Sequence, residues 1–114
     1  MKKEYRIRKS REFEDIIHTG QCLTRKPFVM YYRTAVSEHD RVGISVGKRM
    51  GNAVERNRIK RQMRMMIKEI SDFQSGFDYI IIARTGYHEG SYEANKKDLS
   101  ALYQSVYNSK RRTK

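Results

Sequence analysis

The sequence has few of the features that give many small proteins disulfides, metal sites or membrane anchors. Its 114 residues include one cysteine, one proline and no tryptophan. The single cysteine, Cys22, cannot form an internal disulfide and has no CxxC partner, which argues against zinc or thiol redox chemistry. No apolar run is long enough to span a bilayer, and the opening residues, MKKEYRIRKS, lack the apolar core of a signal peptide. We therefore expect a cytoplasmic protein with an ordinary packed core.

Acidic residues are also scarce. The chain has 13 Asp and Glu against 25 Lys and Arg, which gives a net charge of +12 and a pI near 10.0. Such an imbalance points to nucleic acid or an anionic membrane surface as partner, and the missing apolar run favours nucleic acid. The length suits one domain over residues 1–114, and the basic tail, about residues 109–114, is expected to be disordered because it has no apolar anchor.

The residues show no constellation typical of catalysis. His18, His39 and His88 lie in three different segments, and no HxxxH or His-Glu spacing indicates a metal site. The acids are scattered, without the close cluster that holds metal ions in two-metal nucleases. The stretch GISVGK at 43–48 is one residue short of a P-loop and is followed by Arg49 where Ser or Thr would hold magnesium. The sequence therefore predicts no catalytic group and no metal ligand of its own.

What the chain does contain is a strongly basic amphipathic helix. Asn52 is a good N-cap, with Glu55 three residues later as in a capping box. At about 100° per residue, an apolar face adjoins a basic sector. The apolar face comprises Ile59, Met63, Met66, Ile67 and Ile70, and the basic sector comprises Arg56, Lys60, Arg61, Arg64 and Lys68. Between Lys48 and Arg64 seven basic residues meet one acid, whereas an ordinary solvated helix would mix signs because like charges repel. The favoured interpretation is a face that binds a polyanion.

The remaining elements are predicted from periodicity and turn residues. The first eleven residues form a basic arm that we expect to be flexible without a partner, and Arg25, Lys26 and Pro27 lie in a predicted loop. The predicted elements are a short helix at 10–20 capped by Ser10, strands at 28–36, 41–47 and 77–83, and a last helix capped by Ser91. One face of the second strand carries only Gly43, Ser45 and Gly47, which lets a helix pack closely or a ligand approach. This order predicts an α/β sandwich.

Residues 41–64 resemble the RNR signature of the bacterial ribonuclease P protein subunit family. The resemblance is centred on Arg56-Asn57-Arg58-Ile59-Lys60-Arg61, preceded by Gly51-Asn52-Ala53-Val54. It extends over the chain, because an early Phe-containing helix, the strands FVMYY and IIIAR, and basic ends occur in corresponding places. The resemblance implies an α/β (α+β) two-layer sandwich of the ribosomal-protein-S5-domain-2-like kind. It also implies a left-handed βαβ crossover, opposite to the usual hand.

The same resemblance implies a function. In this family a large catalytic RNA carries the active site and its magnesium ions, and the small RNA-binding protein, monomeric on its own, helps it remove the 5′ leader from precursor tRNA. Guanidinium groups suit such a partner because they donate paired hydrogen bonds to phosphate oxygens. The residues implied to contact the catalytic RNA, here named the RNR surface, are Lys48, Arg49, Asn52, Arg56, Asn57, Arg58, Lys60, Arg61 and Arg64.

A second implied surface is a cleft between the first helix and the sheet, which binds the single-stranded leader. The residues of this leader cleft are Phe13, Ile17, Arg25, Lys26, Phe28 and Tyr31. Aromatic stacking suits varied leaders because it tolerates any base and contributes about 1–3 kcal/mol per base. Ile17 stands where some family members have a second phenylalanine, so it can pack against a base without stacking on it. The residues alone leave Phe13 and Tyr31 equally compatible with ordinary core positions.

Three other functions remain compatible with the residues themselves. A general RNA-binding or ribosomal protein would share the basic surface without depending on a tRNA leader. A DNA-binding module could place the helix after Asn52 in a major groove, although no partner helix stands at helix-turn-helix spacing. A metal-dependent nuclease would cut RNA without any added RNA subunit.

Overall fold

The fold is a four-stranded sheet with helices on both faces. The computed structural model describes the backbone of residues 1–112 and the side chains of residues 1–109. In chain order the elements are α1 (Ser10–Thr19), β1 (Gln21–Arg25), β2 (Phe28–Thr34), β3 (Arg41–Val46), α2 (Ala53–Ile70), β4 (Phe77–Ala83) and α3 (Tyr92–Arg112). Short 3-10 turns lie at Lys3–Tyr5, Lys48–Met50 and Thr85–Glu89. The mixed α/β class predicted from the sequence is confirmed.

The sheet has the strand order β1-β2-β4-β3. β1 pairs with β2 and β2 with β4 in antiparallel fashion, whereas β3 and β4 are parallel neighbours. β4 is therefore a central strand, as its apolar run FDYIIIA predicts. Since α2 connects the two parallel strands, it forms the crossover of a βαβ unit, and the left-handed sense of that crossover stays a prediction of the family resemblance.

Helices α2 and α3 cover one face of the sheet. The α2 residues buried there are Ile59, Met63, Met66 and Ile67, with Ile70 partly buried beside them, as the helical spacing predicts. The α3 residues buried there are Leu99, Leu102, Tyr103 and Val106. Alternate residues of the strands, including Met30, Tyr79 and Ile81, complete this core. The basic sector of α2 is thereby left facing away from the core.

Helix α1 packs on the opposite face of the sheet. Ile16 is fully buried beside Ile80, and Phe13 packs against the same small cluster. The bare face of β3 explains the close approach, because a Cβ added to Gly43 would lie 2.6 Å from the Phe13 ring. The two-layer description thus fits the α2 and α3 side, and α1 adds a partial third layer.

An ion-pair network fixes α1 to the sheet. Arg41 on β3 donates to both carboxylate oxygens of Asp78 on β4, at 3.3 and 3.0 Å, and to Glu12 of α1 at 2.7 Å. Asp78 is fully buried. The hydrogen bonds that Arg41 donates to Asp78 raise the pKa of Arg41, so the guanidinium is held in its charged form.

Several elements differ from the sequence-based predictions. β1 was missed, because residues 21–25 precede Pro27 and resemble a loop, yet they pair with β2 in a hairpin closed by a cis Lys26-Pro27 bond. Ser10 is the first residue of α1, and Lys9 occupies the N-cap position without a side-chain hydrogen bond. β2 ends at Thr34, two residues before the predicted end at residue 36, and bends follow at residues 36–39.

The N-terminal arm docks on the fold, so the expectation that it is flexible is wrong for residues 3–7. Tyr5 stacks on Phe73 with ring centroids 4.3 Å apart and meets His39 edge-on. Ile7 is 4% exposed, and its backbone N–H donates to the Val42 carbonyl of β3 at 3.0 Å. Aromatic stacking and burial of Ile7 hold the arm against the sheet.

The C-terminal end is only partly described. The described backbone of α3 continues to Arg112, and residues 113 and 114 lie outside the described residues. The predicted disorder of the tail, about 109–114, and the single-domain assignment both stay predictions. Within residues 1–112, none of the helices has the length and apolar character needed to cross a membrane.

Candidate nucleic-acid interface

The entry to α2 is shaped by a glycine and a cap. Gly51 has a φ of +129°, a backbone conformation that residues with a side chain rarely adopt. At this residue the chain turns into the helix. Asn52 then accepts a hydrogen bond from the Glu55 backbone N–H through Oδ1, at 2.9 Å. The predicted cap is confirmed, and Asn52 is exposed at the start of the helix.

The structure brings the predicted RNR surface together along α2 and the turn before it. Lys48, Arg49, Asn52, Asn57, Arg58 and Arg61 are exposed, whereas Arg56, Lys60 and Arg64 are half-buried at its edge. Arg58 pairs with Glu55 at 3.2 Å, and it is the only one of the seven cations with an ion pair in the described part of the chain. The Arg56 Nε is buried and makes no hydrogen bond in the structure. The surface therefore has many uncompensated donors.

The N-terminal arm extends this cationic surface. Arg6 and Arg8 from the arm meet Lys60 and Arg64 from α2 around a groove of about 310 Å³. Burial lowers the pKa of Arg64, and the neighbouring Arg6 and Arg8 lower it further. Phe13 lines the same groove, so the groove lies between the RNR surface and α1. A cluster of like charges in one groove is suited to a phosphate group.

The predicted leader cleft is formed in part. Phe13, Ile17 and Tyr31 are half-buried and pack against one cluster with Ile16 and Ile80 on the α1 face of the sheet. Each of these three side chains thus has a packed part and an exposed part. The core and ligand-contact interpretations of Phe13 and Tyr31 are compatible with each other in this geometry.

The basic members of the predicted cleft line a groove of about 610 Å³ that begins at Tyr31. Lys26 is exposed there. Arg25 donates a hydrogen bond to Asp98 of α3 at 3.0 Å, so one of its donors is already used. Phe28 is 1% exposed and meets Tyr87 edge-on in the core below α2 and α3. A base could not stack on a ring so deeply buried, so the prediction that Phe28 contacts the leader is wrong, and Phe28 instead supports the groove from the core side.

Sequence reasoning missed Arg84 and Thr85, which follow β4. They line the groove beside Lys26 and also a second groove of about 330 Å³ beside Lys48 and Arg49. A signal was present, because parallel strands end at the same edge of a sheet and ligands bind outside their carboxyl ends. That rule would have placed Arg84, after β4, next to Lys48, after β3. Along this edge the leader cleft and the RNR surface share a wall.

An α/β fold with an uncompensated cationic helix and a groove of mixed cations and aromatics defines a nucleic-acid-binding protein. Comparison with known proteins identifies the family within this class of nucleic-acid-binding proteins. The family model for ribonuclease P matches residues 1–107. The ribonuclease P protein component of Streptococcus equi subsp. equi is 41% identical over 99 residues, which are 87% of this chain and 83% of the relative.

Solved structures agree with the sequence comparison. The ribonuclease P protein of Staphylococcus aureus superposes with a TM-score of 0.82 at 33% identity, covering 90% of this chain and 94% of that one. The protein of Thermotoga maritima superposes with a TM-score of 0.74 at 28% identity, covering 85% and 93%. The chain belongs to the ribonuclease P protein family. It has the function of the protein subunit of this tRNA 5′-processing endoribonuclease, which implies a partner RNA subunit.

Proposed function

We propose that the protein holds the catalytic RNA on the RNR surface and the 5′ leader of precursor tRNA in the leader cleft. The observation that carries the proposal is the shared wall at Arg84 and Thr85, which joins the groove beside Lys26 to the groove beside Lys48. A strand leaving the cleft along this edge would reach the surface that holds the RNA. The protein would then place substrate and catalyst side by side.

Each surface has the chemistry for its proposed partner. The arginines of α2 offer paired donors to phosphate oxygens, and Asn57 offers an amide to a phosphate, a 2′-hydroxyl or a base edge. In the cleft, the exposed parts of Phe13 and Tyr31 provide stacking surfaces, and Ile17 provides an apolar contact. Such contacts tolerate the varied sequences of leaders.

In this proposal bond cleavage belongs to the RNA. Magnesium would be held mainly by the RNA subunit, whose folding the protein supports by neutralising phosphates. Among the described residues no group of three or more His, Cys, Asp or Glu side chains is placed to hold a metal ion. The protein is proposed to act in the cytoplasm and to be monomeric before it meets its RNA.

The test is cleavage of a 5′-extended precursor tRNA at low magnesium concentration by the protein alone, by a bacterial ribonuclease P RNA alone, and by both together. We expect efficient cleavage at the mature 5′ end only in the mixture. Cleavage by the protein alone would support a nuclease in its own right. Protein that binds the RNA without improving cleavage would support a general RNA-binding protein.

Arg61→Ala tests the RNR surface. Arg61 is exposed on α2 and has no ion pair in the described structure, so its loss should remove one phosphate contact. We expect weaker binding of the catalytic RNA and a salt dependence whose log-log slope is shallower by about 1. The matched control is Lys97→Ala, an exposed cation on α3, which should leave both quantities unchanged. An unaltered slope in Arg61→Ala would count against this surface.

Phe13→Leu tests stacking in the cleft. Leucine keeps apolar packing near Gly43 but has no aromatic face. Binding of leader-bearing substrate should therefore weaken by at least about five-fold, which is the lower end of a stacking contribution of about 1–3 kcal/mol per base. Binding of mature tRNA and assembly with the RNA should not change.

Cys22, the single exposed thiol, lines the groove beyond Tyr31 and can report whether the leader occupies that groove. The leader should protect the thiol from alkylation. Equal protection by mature tRNA would contradict the cleft assignment.

A further inference from the structure

Glu89 is the one acid among the described residues that line the groove continuing the leader cleft. Arg25, Lys26 and Arg84 line the same groove. Glu89 is exposed, and among the described residues its carboxylate takes part in none of the ion pairs. An unpaired carboxylate opposes a polyanion, so general electrostatic attraction does not explain its position. A carboxylate does accept hydrogen bonds from the N–H groups of bases.

The segment that carries Glu89 is held firmly by its neighbours. The Tyr87 hydroxyl donates to Gln62 of α2 at 2.6 Å, and Asn95 of α3 donates to the Tyr87 carbonyl at 3.0 Å. The His88 Nε2 lies 2.8 Å from the Met50 carbonyl oxygen, in the turn before α2. Anchored on three elements, the turn Thr85–Glu89 presents its last residue from a fixed backbone, which a selective contact requires.

The chemistry of the bases decides what a carboxylate prefers. Single-stranded RNA exposes the Watson–Crick edges of its bases. Guanine offers adjacent N1–H and N2–H donors that match two carboxylate oxygens, whereas adenine and cytosine each offer one amino group next to an acceptor. Uracil offers one N–H between two carbonyl oxygens, which the carboxylate repels. The expected order of preference is guanine, then adenine and cytosine, then uracil.

We propose that Glu89 reads the Watson–Crick edge of one leader base, favouring guanine and disfavouring uracil. Arg84 and Lys26 hold the phosphates beside that base, because the acid repels the backbone toward the cationic sides of the groove. Glu89 is thus a specificity-determining residue for the leader. The inference rests on the proposed function, since it requires the leader to occupy this groove.

The experiment measures binding of precursor tRNA to the holoenzyme reconstituted with a bacterial ribonuclease P RNA. Each leader position in turn carries guanine, adenine, cytosine or uracil, and a leaderless tRNA is included. With the unaltered protein we expect about tenfold tighter binding of guanine than of uracil at one position, as for a good bidentate contact. In Glu89→Gln the ratio at that position should fall to about one, because the amide replaces one acceptor by a donor.

Glu93→Gln is the matched control, since it removes the same charge from an exposed residue outside the groove, in the first turn of α3. The control should keep the base preference. Equal tightening of all leaders in Glu89→Gln, with the ratio kept, would show a charge effect only and overturn the inference, as would leader-dependent binding without any base preference. Binding that does not depend on the leader at all would instead contradict the proposed function.

Discussion

At the scale of single residues, the position of α1 depends on one arginine. Arg41 connects the fully buried Asp78 to Glu12 at the start of α1, and the pKa of Arg41 is raised by its hydrogen bond to Asp78. The same face of β3 carries Gly43, whose missing side chain leaves room for the Phe13 ring. Arg41 therefore attaches α1 to the sheet, and Gly43 sets how closely α1 approaches it. Helix α1 borders the leader cleft.

Arg41→Ala should lower the free energy of unfolding by about 3–5 kcal/mol, because it leaves the buried Asp78 carboxylate without its partner. Urea denaturation followed by circular dichroism measures the change. Arg11→Ala removes an exposed arginine of α1 that forms no ion pair among the described residues, and it should change stability by less than about 0.5 kcal/mol. Similar small losses in both variants would contradict the role given to Arg41.

At the scale of elements, α2 has two functions that meet at its first turn. Asn52 caps the helix through its oxygen, and its NH₂ group is left for the proposed contact with RNA. The helix then buries one face and presents the other without compensating acids. In the proposed interface, helix stability and RNA binding would be carried by different atoms of Asn52, so substitution can separate them.

Asn52→Asp should keep the cap and lose RNA affinity, because aspartate accepts the Glu55 N–H but offers no donor and adds a negative charge. Asn52→Ala should instead lower the free energy of unfolding by about 1 kcal/mol through loss of the cap. Thermal denaturation and a filter-binding assay with the catalytic RNA measure the two effects. Full RNA affinity in Asn52→Asp would place the residue outside the RNA contact.

The elements also show how far the sequence predicts this fold. Periodicity and caps predicted α2, β4 and α3 well, because long apolar faces and the Asn52 and Ser91 caps are local signals. β1 was missed because its residues are mostly exposed and show no alternation of buried and exposed positions. The docking of the arm on Phe73 and His39 was missed because it joins residues far apart in the sequence.

The candidate interface divides in the same way. The residues of the RNR surface are close in sequence, so their placement on one surface follows from the helix. The cleft gathers residues from α1, β1, β2 and the turn after β4, and spacing along the chain does not reveal which of them face it. Phe28 was included among the cleft residues although its ring is buried in the core on the other face of β2, and Arg84 and Glu89 were overlooked.

At the scale of the whole molecule, buried tyrosines make the fold sensitive to alkali. Burial raises the pKa of Tyr87 to about 12, and it also raises the pKa of Tyr79 and of Tyr103. In the unfolded chain tyrosine has a pKa near 10. Between about pH 10 and 12 the unfolded state therefore loses protons that the folded state keeps, and the free energy of unfolding falls as the pH rises.

Tyr87→Phe tests this linkage. It should lower stability at neutral pH, because the hydrogen bond to Gln62 is lost. Above pH 10 its stability should fall less steeply with pH than that of the unaltered protein, since one titrating group is gone. Urea denaturation over this pH range measures the slope, and an identical slope in both proteins would contradict the pKa assigned to Tyr87.

The backbone hydrogen bond between Ile7 and Val42 has one more consequence. β3 is an edge strand of the sheet. An unprotected edge strand can pair with the same strand of another molecule and start aggregation. The arm occupies part of this outer strand with the chain's own backbone. Loss of the first residues, for instance by proteolysis, would therefore remove cations and also expose the edge of β3 as a template for self-association. A concentrated protein solution kept without RNA would be most prone to aggregate in this way.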